Sequence, residues 1–493
     1  MAERDLLDSP EAGATAIRGV LVRSLFFGAG LLISLAAVPF LIRHLGPVDY
    51  GYFVTVAAIV FLIGGVTEGG LTNLGLRHYS AGIDQAERAS IIRNLVGVRL
   101  LLTTAAIALA TGIAALAGAA EEIAVGIPLY GAGLLLSLIS ATYGVPLQAA
   151  LRLGTTSALE LLRQALNAVG TVALVVAGAG LYAFFGLWVA VCGVVMVITA
   201  AIVARTVPIR PAFEWPVWRR YMGEALAYGV ASAAGLVYFR MAAALMAFLS
   251  TELETGYFAV AFRVLETGTI IPWLFVTSVF PILARAASSD HVRLRYAAQK
   301  VVEVGVIVGV GMALLLSLGA EPVVAVIAGA ELEPAVPALR LQAVVLVPTV
   351  FVSTWSLLLL SLDEQRALLA INAAAVVISA AAAFVLIPAE GAIGGSLVVL
   401  IAETLVAALS VVVLWRRHPD VAPSFAPLWK VAAATLVALG CGLLVPGGPV
   451  VAVALALAAY AGALFALRAV PAELWAALRA PLSARAGGTG DGV

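Results

Sequence analysis

Long apolar runs alternate with short polar links along almost the whole chain, and each run is near the roughly 20 residues that a helix needs to cross hydrocarbon. Runs at 19–42, 51–72, 91–117, 123–147, 158–179, 181–204, 223–249, 257–282, 297–319, 338–361, 367–388, 391–415, 430–446 and 449–468 predict an all-α integral membrane protein with about fourteen spans. The links at 179–181 and 388–391 are short enough for tight antiparallel hairpins. A twelve-span alternative lays the last two runs along the surface. The first seventeen residues carry mixed charge and lack the basic start of a cleaved signal, so the first run is expected to stay as an anchor helix.

Arginine and lysine in short loops mark the cytoplasmic side. With the N-terminus inside, Arg77, Arg88, Arg93, Arg219, Arg220, Arg293, Arg295, Arg416 and Arg417 all fall inside, together with most of the 28 basic residues. The outer links hold Arg43 and Arg340 and are otherwise acidic, at Glu121, Glu122, Glu252, Glu254, Glu331 and Glu333. Both termini are therefore expected in the cytoplasm. The segment 471–485 has Leu and Trp on one side and Arg on the other, which predicts a helix lying on the inner interface.

An internal repeat divides the spans. Gly51-Tyr52-Phe53 opens the second span after Asp49, and Gly256-Tyr257-Phe258 opens the eighth after Glu254. Two parallel six-helix lobes follow, at 1–204 and 223–415, since an even number of spans makes both enter from the same side. A cytoplasmic linker, 205–222, carries Pro208, Pro211 and Pro216. Two extra helices and a cytoplasmic tail occupy 416–493.

Composition agrees with lipid as the solvent. The chain is 63% hydrophobic and 11% charged, against about 25% charged in soluble domains. Net charge is zero and no long basic tract suggests nucleic acid. Cys192 and Cys441 lie in apolar runs, and His44, His78, His291 and His418 lie in links, so neither disulfide nor metal site is expected. No phosphate-cradling loop or serine elbow occurs, so no catalytic residue and no cofactor is expected. Polysaccharide-polymerising membrane enzymes carry a large outer loop, and the outer links here are short. That favours a transporter over an enzyme.

Two stretches carry a family resemblance. Arg43-His44-Leu45-Gly46-Pro47-Val48-Asp49-Tyr50-Gly51, followed by Glu68-Gly69-Gly70-Leu71, resembles the first hairpin of the O-antigen-type polysaccharide and oligosaccharide flippases. Gln342, Pro348, Gln365-Arg366, Asn372, Ile387-Pro388, Gly391, Gly394-Gly395 and Glu403 are similar to that family's tenth to twelfth spans. The family belongs to the multidrug/oligosaccharidyl-lipid/polysaccharide exporter superfamily. The resemblance implies two lobes around a central cavity that opens to either side in turn, in a bacterial plasma membrane. The implied cargo is a polyprenyl-(pyro)phosphate-linked glycan, with a glycan polymerase and glycosyltransferases as further partners. The rivals are a drug or cation antiporter of the same superfamily and a membrane polysaccharide polymerase.

Charges within the spans are the candidate site, because each costs about 2.5–3.5 kcal/mol to insert and normally faces the bundle interior. Arg23 and Arg99 would serve a diphosphate-binding cavity from the first lobe, and Arg240 and Arg263 from the second. Guanidinium suits phosphate oxygens through its bidentate fork. Glu266 lies one helical turn from Arg263 and is expected to pair with it. Glu68, near the inner end of the second span, is expected to pair with Arg23. An antiporter for cations would place carboxylates at the cavity centre, and this interior is richer in arginine.

Overall fold

The computed structural model describes residues 10–81, 84–150, 152–204, 210–289, 291–422, 424–444 and 448–470. The described residues are helical throughout, and each of the fourteen predicted apolar runs falls on helix. In chain order the helices are α1 Pro10–Glu68, α2 Leu71–Ala81, α3 Gln85–Leu116, α4 Glu121–Tyr143, α5 Val145–Ala149, α6 Leu153–Val176 and α7 Leu181–Val203. They continue with α8 Trp215–Leu249, α9 Glu252–Ser289, α10 His291–Leu318, α11 Ala320–Ile327, α12 Val336–Ser361, α13 Gln365–Arg417, α14 Leu428–Leu444 and α15 Gly448–Ala466. Among the described residues nine helical stretches are long and apolar enough to cross a membrane, and Gly28–Ser80 and Gln365–Arg417, each 53 residues, are long enough to cross twice. The predicted amphipathic segment 471–485 lies outside the described residues.

Two spans share α1 because its break is a single residue. Gly46 takes φ 68° and ψ −176°, a conformation that only glycine adopts without a Cβ clash. Pro47 follows at once, and having no N–H it loses no backbone hydrogen bond at the turn. Gly391 makes the equivalent break in α13, at φ 53° and ψ −124°, three residues after Pro388. At Gly391 the break falls in the short link expected at 388–391, whereas at Gly46 a single residue makes the break where the sequence predicts a link of several.

The chain forms two compact units. The first comprises residues 1–259, 326–332 and 380–395, and the second 260–325, 333–379 and 396–493. In the first unit, Tyr52, Val56, Val60 and Ile63 of α1 pack with Ile107, Ile123, Ile127 and Phe185 in one apolar core. A second core joins Ile92, Val96, Ile139, Tyr143 and Val203. The proline-containing linker is strapped to α3 where it is described. Ala212 N–H donates to the Arg93 carbonyl at 3.0 Å, and Trp218 Nε1 donates to Asn94 Oδ1 at 3.2 Å. In the second unit α10 lies against α12, with Gly305 and Gly309 admitting Val350. Small residues at such crossings let backbones approach where lipid supplies no hydrophobic drive between helices. The outward faces are apolar, as at Leu116, Val176 and Leu444, which suits hydrocarbon rather than water.

Candidate substrate path

The span charges distribute into three settings. Arg99, midway along α3, is 1% exposed. Its guanidinium donates to Glu68 Oε2 at 2.5 Å, to Thr72 Oγ1 at 2.7 Å and to the Leu138 carbonyl. Glu68 also accepts the backbone N–H of Thr72 at 3.0 Å. Gly69 and Gly70, both at positive φ, turn the chain from α1 into α2 at this point. Arg99 thus ties the α1–α2 junction to α3 and α4 from inside the first unit. Glu68 therefore pairs with Arg99, where the sequence suggested Arg23, and Arg99 is sealed from any cavity in this conformation. The physical reason is helix facing: depth along a span says nothing of which spans are neighbours. The Arg23 side chain lies outside the described residues.

Arg240, on α8, has its guanidinium 3.9 Å from the ring centroid of Phe61 on α1. That places a membrane-embedded cation between the second and seventh spans, one from each half of the repeat. An aromatic face stabilises such a cation by about 0.5–2 kcal/mol. Arg263 and Glu266, in the second unit, pair across one turn of α9 at 3.1 Å, as their spacing predicted.

A closure at the acidic face is a feature that sequence reasoning reached only as a repeated motif. The two Gly-Tyr-Phe openings meet through their glycines. A Cβ on Gly51 would lie 2.9 Å from the Gly256 backbone nitrogen, and a Cβ on Gly256 would lie 2.0 Å from the Pro47 carbonyl oxygen. Beside this crossing the Tyr52 hydroxyl donates to Glu252. Glu254 Oε2 accepts the Ala392 N–H at 2.8 Å, and Arg43 donates to the Val326 carbonyl at 2.5 Å. The internal breaks of α1 and α13, the start of α9 and the end of α11 are thereby held together within the first unit. A cavity of about 230 Å³ also lies among α4, α5, α6 and α7, lined by Ser140, Gln148, Leu159, Glu160, Arg163 and Thr199. Its one carboxylate, Glu160, is neutralised by Arg163 at 2.5 Å. No group of three His, Cys, Asp or Glu residues able to hold a metal occurs among the described residues.

Residues 40–337 match the polysaccharide biosynthesis protein family. The chain belongs to that family. No curated protein matches the sequence. Among solved structures, the lipid II flippase MurJ in an inward closed conformation is similar, with TM-score 0.74, 12% identity, and coverage of 90% of this chain and 98% of that one. An inward-facing multidrug resistance MATE family transporter of the MOP superfamily aligns with TM-score 0.64 and 16% identity, over 79% of this chain and 94% of that one. Its outward-facing counterpart aligns with TM-score 0.56 and 15% identity, over 82% of this chain and 95% of that one. The fold is therefore that of the superfamily's transporters. This family member is a multi-pass membrane protein with that fold.

Proposed function

We propose that this protein moves a polyprenyl-(pyro)phosphate-linked oligosaccharide across a bacterial plasma membrane, for surface polysaccharide or envelope assembly, by alternating access. The observation that supports this reading is Arg240, a cation in the outer part of the seventh span held on the face of Phe61 in the second. A diphosphate cargo needs such a cation in a poorly hydrated path, whereas a cationic drug would be repelled by it. Family membership supports a glycan as the cargo. The likeness to MurJ, a lipid II flippase, supports a lipid-linked one. Within the same unit, Arg99 and Glu68 would brace the helices that carry Arg240 and Phe61.

In such a cycle the contacts at the acidic face would hold the outer side shut. Binding energy from the glycan and diphosphate would then have to exceed the glycine crossing and the Tyr52–Glu252 and Glu254–Ala392 hydrogen bonds before the outer side parts. The test is genetic and chemical. Depletion of the protein should leave lipid-linked glycan on the cytoplasmic leaflet, and the wild-type gene should restore export. Restoration by an Arg240→Ala variant at normal membrane abundance would overturn the assigned role of Arg240. Unchanged glycan export in the depleted strain, with altered drug resistance instead, would favour the antiporter.

A further inference from the structure

The chain holds only two lysines, Lys300 and Lys430, and both line one cavity of about 400 Å³ in the second unit together with Arg468, Glu303, Ile307 and Pro427. The cavity lies at the arginine-rich end of α10, α14 and α15. Lys430 stands in the first turn of α14 and Arg468 just past the last turn of α15, so the antiparallel hairpin delivers both to the same end. The Tyr460 hydroxyl donates to the Ile307 carbonyl at 3.0 Å, which pins α15 to α10, the helix that carries Lys300.

The local charge is not balanced. Glu303 is the one carboxylate lining the cavity, and it is taken by Lys300 at 3.1 Å and by Gln299 at 3.0 Å. Lys430 Nζ spends one donor on the Arg468 carbonyl at 3.2 Å. The Arg468 guanidinium has no ion-pair or hydrogen-bond partner among the described residues. Among the described residues three cations and one carboxylate line this cavity.

The backbone adds a second, independent observation. Arg468 has φ +49° at the position after a helix where glycine is the favoured residue. Its cap bonds, Leu467 N–H to the Ala463 carbonyl and Ala469 N–H to the Leu464 carbonyl, involve backbone only. A glycine would satisfy the same cap without strain, so the fold does not account for a guanidinium here. Trp429 is exposed beside Lys430, as aromatic residues are at the headgroup level of a bilayer. Basic pockets between membrane helices on the cytoplasmic side take phosphate headgroups.

We infer that this cavity is a binding site for a phosphate group, held by Lys300, Lys430 and Arg468 and separate from the arginines assigned to the cargo. The phosphate would come from an anionic phospholipid of the inner leaflet or from free phosphate. Native mass spectrometry of the purified full-length protein separates these sources, with phosphatidylglycerol, phosphatidylethanolamine and inorganic phosphate as probes. Retention of phosphatidylglycerol at least about tenfold above phosphatidylethanolamine assigns the site to an anionic lipid, and binding of inorganic phosphate assigns it to the free ion. Lys430→Gln and Arg468→Gly should each weaken the bound anion by about tenfold, the size of one charge-assisted hydrogen bond. Arg468→Gly removes the backbone strain, so it should melt no lower than wild type, which separates lost binding from lost fold. The inference is overturned if neither anion binds, or if a Lys300→Gln/Lys430→Gln/Arg468→Gly variant retains the anion as wild type does.

Discussion

Arg99 and Glu68 form an unequal pair, and the inequality makes a prediction. The arginine is 1% exposed while its partner carboxylate is 33% exposed. Removing Glu68 strands a buried cation, at a cost of about 3–5 kcal/mol. Removing Arg99 leaves a carboxylate that water can reach. Glu68→Gln should therefore lower the melting temperature in detergent more than Arg99→Met does, and the reverse order would mean that Arg99 is not sealed. At the arginine-rich face, Glu364 is raised by burial but lowered more strongly by hydrogen bonds from His418 and Arg417, so its carboxyl lies below the usual range. The His291 ring beside Asp420 does the same to that carboxyl. A depressed carboxylate stabilises the fold above its unfolded pKa and loses that contribution as pH falls through its folded pKa. Stability should therefore decline below about pH 4, and Glu364→Gln should flatten that decline in melting curves taken between pH 6 and 3. At this scale the sequence was legible where partners share a helix. Arg263 and Glu266, three residues apart, pair as read. Glu68 and Arg99 sit on different helices, and nothing in either span's pattern tells which neighbour it faces.

Among the elements, helix positions were legible because hydrocarbon thickness sets run length, and every predicted run lies on helix. The turns were less so. At Gly46-Pro47 and at Pro388 to Gly391 two helices meet across a single non-helical glycine. The repeat was visible as two Gly-Tyr-Phe motifs, but that the two copies touch each other is a tertiary fact. This crossing should act as the outer latch. Gly256→Ala would drive a methyl to 2.0 Å from the Pro47 carbonyl, against 2.9 Å from a backbone nitrogen for Gly51→Ala. In a background with Cys192 and Cys441 replaced, a cysteine at the buried Thr55 should react with an impermeant thiol reagent several-fold faster when Gly256→Ala is added. Gly51→Ala should have the smaller effect. Equal, slow labelling in all three proteins would show that the crossing does not hold the outer side shut.

For the whole molecule, the alternation of basic and acidic links predicts sidedness. Cysteines placed at Glu122 and Glu333 should label from outside, and cysteines at Arg88, Arg219 and Arg293 should not. Outside labelling at Arg219 would break the two-lobe arrangement, because the strap that joins the halves must be cytoplasmic. The short outer links and the arginine content of the spans are the sequence features that favour a transporter. The cargo is read from chemistry, and Arg240 is where that chemistry concentrates. The central claim is tested most directly in proteoliposomes holding the purified protein and a fluorescent polyprenyl-pyrophosphate oligosaccharide, by following its passage between leaflets. Wild type should flip it, Arg240→Lys should retain part of the rate because the charge stays while the bidentate fork is lost, and Arg240→Ala should fall by at least about tenfold, the loss of one charged hydrogen bond. Passage at the wild-type rate by Arg240→Ala would contradict the account.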